Sequence, residues 1–126
     1  MKNKNSPPTQ AQKDWWSEII EMGCCLTGDP AEIDHIYGGA YKVDGVNIGH
    51  WAVIALSPIL HRLDKCNRST NREEFNRVFG CDSYQGINKG VEKQLFLGQC
   101  CSYMSYYKKD LPFDAFILNE IMGYSK

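Results

Sequence analysis

The chain has 126 residues, a formal charge of −1 and an ordinary share of charged side chains. That length is one domain with enough apolar sequence for a single core. The near-neutral charge argues against a protein that coats nucleic acid by bulk attraction, while leaving room for a local basic patch. No apolar run approaches the roughly 18–20 residues of a membrane span. The opening "MKNKNSPPTQAQK" has no apolar stretch behind its lysines, so no secretory signal is read there and a soluble, cytoplasmic protein is expected.

In chain order, residues 1–8 read as a disordered tail ending in Pro7-Pro8, and residues 9–126 as a single domain. "TQAQ" is a capping box, with Thr9 as N-cap and Gln12 three residues on. The helix it opens carries Trp15, Trp16, Ile19 and Ile20 and stops at Gly23. Residues 31–36 read as extended, and the glycine-rich residues 37–50 as a loop. "WAVIAL", 51–56, has the length and composition of a buried strand. "SPILHRLDK" opens a second helix, with Ser57 as N-cap and Pro58 at the first helical position. A further helix is expected from Thr70 to Gly80. The next runs from about Asp82 to Lys108, with Val91, Leu95, Cys101 and Met104 as its apolar stripe. The last carries Phe113, Phe116, Ile117 and Ile121 and ends at Gly123. The class is α+β.

Six cysteines raise the question of a scaffold. Two pairs are adjacent, Cys24-Cys25 and Cys100-Cys101, and neighbours rarely bridge each other. Without a signal the compartment is reducing. The C-x₂₋₄-C spacing of a zinc site is absent, and free thiols in or near the core are expected.

The chemistry concentrates on "EIDHIYGG" and the residues after it. All three histidines, His35, His50 and His61, fall on the strand, loop, strand and helix between residues 32 and 61. A hairpin capped by a helix brings those places together. Mg²⁺ or Mn²⁺ keeps several waters and needs few protein ligands; Asp34 and His61 are candidate ligands, and His35 a candidate base near neutral pH. In a regular strand Asp34 and His35 point to opposite faces, so both serve one site only where the strand ends, as Tyr37-Gly38-Gly39 allows. Each residue also has an ordinary role: Asp34-His35 as a structural hydrogen bond, His50 as a packing residue, His61 as a helix-start surface residue. Lys42, Arg62, Lys65, Arg68 and Arg72 border the segment. Most such residues are solvated surface, with phosphate contacts a candidate role for Lys42, Arg62 and Lys65. Trp15, Trp16 and Trp51 and the tyrosines Tyr103, Tyr106 and Tyr107 read as packing residues.

"IDHI…GHWAVIALSPILHRL" resembles the HNH, or ββα-metal, nuclease motif. More narrowly, "HIYGG", "IGHWAVIALSPILH" and "EEFNRVFG" resemble the phage recombination-enhancement nucleases that act with the RecA recombinase. The resemblance covers roughly residues 15 to 80. It implies a small ββα-metal hairpin-plus-helix core surrounded by additional α-helices, and hydrolysis of DNA phosphodiesters with one divalent metal. By it Asp34 and His61 are metal ligands, His35 is the general base, and His50 takes the middle position that orients the base. The implied product is a nick with 5′-phosphate and 3′-hydroxyl ends, cut with little sequence preference. The partners it implies are DNA and a RecA-type filament. This sequence departs from the pattern in two ways. Many relatives brace the hairpin with two C-x-x-C zinc knuckles, which are missing here, so no structural zinc is expected. Several carry His-His where this chain has Asp34-His35. The rival reading is a non-catalytic accessory protein that binds a recombinase or DNA and keeps the fold. A cysteine hydrolase using Cys24 or Cys25 with His35 ranks far behind.

Overall fold

The computed structural model describes residues 7–63, 68–69, 72–79 and 89–123. The chain is α+β: helix α1 (Gln10–Met22), strands β1 (Glu32–His35), β2 (Lys42–Val43), β3 (Val46–Asn47) and β4 (Val53–Leu56), a π-helical turn (Ile59–Leu63), then α2 (Arg72–Phe79), α3 (Lys89–Tyr107) and α4 (Ala115–Gly123). Residues 1–6 of the expected tail, Lys65, and the expected start of α3 before Lys89 lie outside the described residues.

α1 begins as its sequence dictates. The Thr9 side chain accepts from the Gln12 backbone N–H, and the Gln12 side chain accepts from Thr9 N. That reciprocal pair satisfies two of the donors every helix start leaves unbonded. Gly23 closes the helix, its N–H donating to Ile20 O.

β1 and β4 pair antiparallel, Asp34 opposite Ile54 and His35 opposite Val53. All four β4 residues are buried, because the strand is covered by α1 and by α3. The edge of β4 does not meet water. Gln99 on α3 reaches it with both ends of its amide, accepting from Ala55 N at 2.9 Å and donating to Val53 O at 2.9 Å. A side chain thus stands in for a neighbouring strand and satisfies backbone groups that are costly to bury unpaired.

Trp15 is the centre of the core. It is fully buried and meets Tyr103, Phe113 and Phe96 edge-on, at ring separations of 5.0, 5.3 and 6.5 Å. Its indole N–H donates to Trp51 O, while the next residue, Trp16, donates to His50 O. Two successive indoles therefore pin α1 to the entrance of β4. α4 is tied down by Tyr37, whose hydroxyl donates to Ile121 O, and by the burial of Ile117 and Ile121.

Four expectations need correcting. Residues 37–50 are not all loop: Asp44-Gly45 forms a two-residue turn with φ of 52° and 79° that joins β2 to β3. Both residues are left-handed, the geometry that fits the twist of a hairpin and favours Asp-Gly. On α3 the buried face is Glu92, Phe96, Gln99, Cys100 and Tyr103, while Cys101 and Met104 are exposed. The apolar stripe read from the sequence misses this face because two of its inward residues, Glu92 and Gln99, are polar. On the last helix Phe116 is exposed, and the helix starts at Ala115 with Asp114 accepting from Ile117 N. Tyr106 is also exposed and Tyr103 buried, so the tyrosine cluster is packing on one side only.

Candidate functional site

The sequence candidates meet around β1 in two groups, one on each face of the strand. Glu32 and Asp34 share one face, as residues two apart must. The turn after β4 carries His61 to that face. Ser57 starts this turn: its carbonyl accepts from His61 N at 2.8 Å and its hydroxyl accepts from Leu60 N. The turn is wider than an α-turn, a distortion that often marks functional positions. The chain then folds back, with Arg68 N donating to Leu60 O and Ser69 N to His61 O.

As a result His61 lies between two carboxylates. Its Nδ1 is 2.6 Å from Glu32 Oε2 and its Nε2 is 3.6 Å from Asp34 Oδ1. Glu32 is also held by Arg62, through Nε at 2.8 Å and Nη2 at 3.2 Å. The Arg62 hydrogen bond, together with His61, holds the Glu32 carboxyl below its usual range against the opposing effect of burial. Asp34 is buried and gripped by Arg68, which donates from Nη2 to Oδ1 at 3.0 Å and from Nε to Oδ2. The same guanidinium bonds Glu92 on α3 and His35 O. Burial works against the Arg68 charge, and the bonds and charges of Asp34 and Glu92 outweigh it.

On the other face, His35 Nε2 lies 3.1 Å from His50 Nδ1. Trp16 packs edge-on against both rings, 5.3 and 5.5 Å away. His50 is buried and fixed by its backbone: its N–H donates to Asn47 Oδ1, and Asn47 in turn donates to Gly39 O. The Asn47 bonds close the glycine loop under His50. Burial, and then the facing His50, hold the His35 imidazole below the usual histidine range, with the nearby Asp34 carboxylate opposing. Burial and His50 both favour the neutral form of the His35 ring. Where its Nε2–H donates to His50, its Nδ1 keeps a lone pair able to accept a proton.

The structure thus brings Asp34 to His61 and His35 to His50. Among the DNA-contact candidates, Lys42 is exposed on β2 and Arg62 is exposed with two of its nitrogens engaged by Glu32; Lys65 is outside the described residues. Arg68 is not solvated surface, since only 9% of it is exposed. Its role depends on Glu92, far away in sequence, and no local signal marks it. Glu32, in contrast, has a local signal, because it sits two residues before Asp34.

A metal fits this group in part. Two cis ligands about 2.1 Å from an octahedral ion stand ~3.0 Å apart and two trans ligands ~4.2 Å. The 3.6 Å between Asp34 Oδ1 and His61 Nε2 lies between these. An aspartate oxygen has two lone pairs, so Oδ1 can accept from Arg68 and still ligate. Among the described residues no group of three or more His, Cys, Asp and Glu side chains forms a cage.

Elsewhere, a cavity of about 260 Å³ is lined by Met22, Gly23, Cys24, Cys25, Leu95, Gly98, Gln99 and Ser102. None of Asp34, His35, His50 or His61 lines it. Cys24, Cys25, Cys100 and Cys101 are free thiols. Burial raises the Cys24 thiol, but hydrogen bonds from Thr27 and from backbone N–H groups outweigh it and the net shift is downward. Burial pushes Cys25 up to about 12.

Among the described residues no helix is long and apolar enough to cross a membrane. Compared with family models, with curated proteins and with solved structures, the chain finds no match.

Proposed function

We propose that the chain is a metal-dependent DNA endonuclease of the HNH, ββα-metal type, one that nicks duplex DNA during phage recombination or repair. One observation carries this reading. Asp34 Oδ1 and His61 Nε2 stand 3.6 Å apart where β1 meets the turn after β4, and the residue next to Asp34 is a histidine whose neutral form is favoured, backed by a second one. The order strand, glycine loop, strand, helical turn supports a ββα core, with the β2–β3 hairpin as an insertion in the loop.

A bound Mg²⁺ or Mn²⁺ would supply charge neutralisation at the scissile phosphate and at the leaving 3′ oxygen. Asp34 offers it an anionic oxygen and His61 a nitrogen. His35 takes the proton of an in-line water as that water attacks phosphorus. His50, immobilised by Asn47 and Trp16, holds the His35 ring in one orientation. Lys42, Arg62 and Lys65 would supply contacts to the phosphate backbone, which position the duplex without reading its bases. A protein of net charge −1 makes few such contacts, so free DNA is bound weakly. Direction by a RecA-type filament and its displaced loop compensates for that weakness.

The test is supercoiled plasmid incubated with Mg²⁺ or Mn²⁺, with and without chelator, beside the His35→Ala protein. Metal-dependent nicking by the wild type alone supports the reading. Intact plasmid under all conditions, displacement-loop substrate with a RecA filament included, overturns it.

A second reading has its own observation. Arg68 bonds both oxygens of Asp34, which is how a structural ion pair holds a carboxylate. A non-catalytic accessory protein that binds a recombinase or DNA would keep that pair and show DNA or filament binding without cleavage.

A further inference from the structure

Glu32 has no part in the proposed chemistry, yet it makes the shortest contact of His61 to a carboxylate. Its side chain is about one-third exposed and is held from two sides, by Arg62 and by His61 Nδ1 at 2.6 Å. An ionised carboxylate only accepts hydrogen bonds, so at that distance the hydrogen must sit on His61 Nδ1. The other nitrogen, Nε2, points at Asp34 from 3.6 Å, too far for a hydrogen bond. A neutral His61 therefore has its lone pair on Nε2, aimed at the carboxylate. An isolated imidazole has no such preference imposed on it, and a surface histidine turns freely.

We infer that Glu32 is a positioning residue for His61: by accepting from Nδ1–H it fixes the ring and its tautomer so that the bare Nε2 faces Asp34, ready to bind a divalent cation. The inference deepens the metal-site reading and rests on it for the cation alone; the tautomer stands without any metal. Histidine ligands commonly give their second N–H to a carboxylate, which orients the ring and raises the basicity of the ligating nitrogen. Arg62 completes the device. By holding Oε1 and Oε2 together it keeps Glu32 extended toward His61, and it keeps the carboxylate charged. The pleat of β1 supplies the spacing: residues 32 and 34 lie on one face, so a single ring set against that face spans both carboxylates.

The test has two readouts on the full chain. The first is ¹⁵N NMR of the His61 imidazole in the metal-free protein, followed through a pH series until the neutral ring is observed. The second is calorimetric titration with Mn²⁺ alone. The expected wild-type tautomer is Nδ1–H. Glu32→Ala should lose that tautomer and weaken Mn²⁺ binding by roughly 10- to 100-fold. Glu32→Gln keeps a neutral carbonyl that accepts from Nδ1–H, so it should retain the tautomer and recover part of the affinity. Amide spectra of the two variants check the fold. A wild-type protein with Nε2–H, a Glu32→Ala protein with unchanged tautomer, or, where the wild type binds Mn²⁺, a Glu32→Ala protein of unchanged Mn²⁺ affinity overturns the inference. Loss of the tautomer in Glu32→Ala, with no Mn²⁺ uptake even by the wild type, would uphold the positioning role and sink the metal-site reading.

Discussion

Arg68 Nη2 donates to Asp34 Oδ1 at 3.0 Å, and that same oxygen faces His61 Nε2 at 3.6 Å. One carboxylate thus joins a buried ion network to the candidate metal site. The network runs from Asp34 on β1 through Arg68 to Glu92 on α3, and Glu92 is fully buried. Removing the cation would leave two carboxylates in the interior. Breaking a buried pair from one side typically costs about 3–5 kcal/mol. Arg68→Met should lower unfolding stability by that amount in urea. A loss below about 1 kcal/mol would mean that water reaches these groups after all.

The His35–His50 pair carries the prediction on activity. His35→Ala should fold normally, since His35 is only partly buried, and should lose nicking by about 10²–10⁴-fold, the usual contribution of a general base. His50→Ala acts through His35. It should cut the rate less, at unchanged Mn²⁺ affinity in calorimetry. Nicking by His35→Ala within a few-fold of wild type would remove His35 as the base.

Gly49 precedes His50 and is packed against the chain's own backbone. A Cβ built there would stand 2.0 Å from Gly38 O. Backbone cannot step aside as a flexible side chain can, so Gly49→Ala must open the loop that seats His50. Overpacking of this kind costs roughly 1–3 kcal/mol. A thermal melt should show the loss, and the His50 imidazole signals should shift. An unchanged melt together with unchanged imidazole signals would show that the loop absorbs the methyl without moving His50.

The adjacent thiols Cys100 and Cys101 should differ in reactivity. Burial, with the charge of Cys101 adding to it, pushes the Cys100 thiol up to about 12, while Cys101 is exposed. The reactive form is the thiolate, and at pH 8 a thiol of that kind is ionised on the order of one part in 10⁴. Brief iodoacetamide treatment of the native protein followed by peptide mapping should label Cys101 and spare Cys100. Raising the pH raises the Cys100 thiolate fraction and should narrow the gap. Equal labelling at pH 8 would place Cys100 in contact with solvent.

Local signals in the sequence determined the elements that need only near neighbours. Thr9 and Gln12 wrote the start of α1, Gly23 its end, and Ser57 the turn that carries His61, because caps act within four residues. The apolar run through β4 declared a buried strand. Asp44-Gly45 is equally a local signal for the β2–β3 turn, masked by the surrounding glycines, which read as loop. What the tertiary structure alone decided are the pairings of polar groups across long separations. Gln99 serves the edge of β4, Glu92 faces Arg68, Trp16 holds His50, and Glu32 takes His61 Nδ1. A polar residue inside an apolar stripe looks like a break in the pattern until its partner is known. The partner is supplied by the fold, since burying such a group is tolerable only where a hydrogen bond from elsewhere in the chain satisfies it.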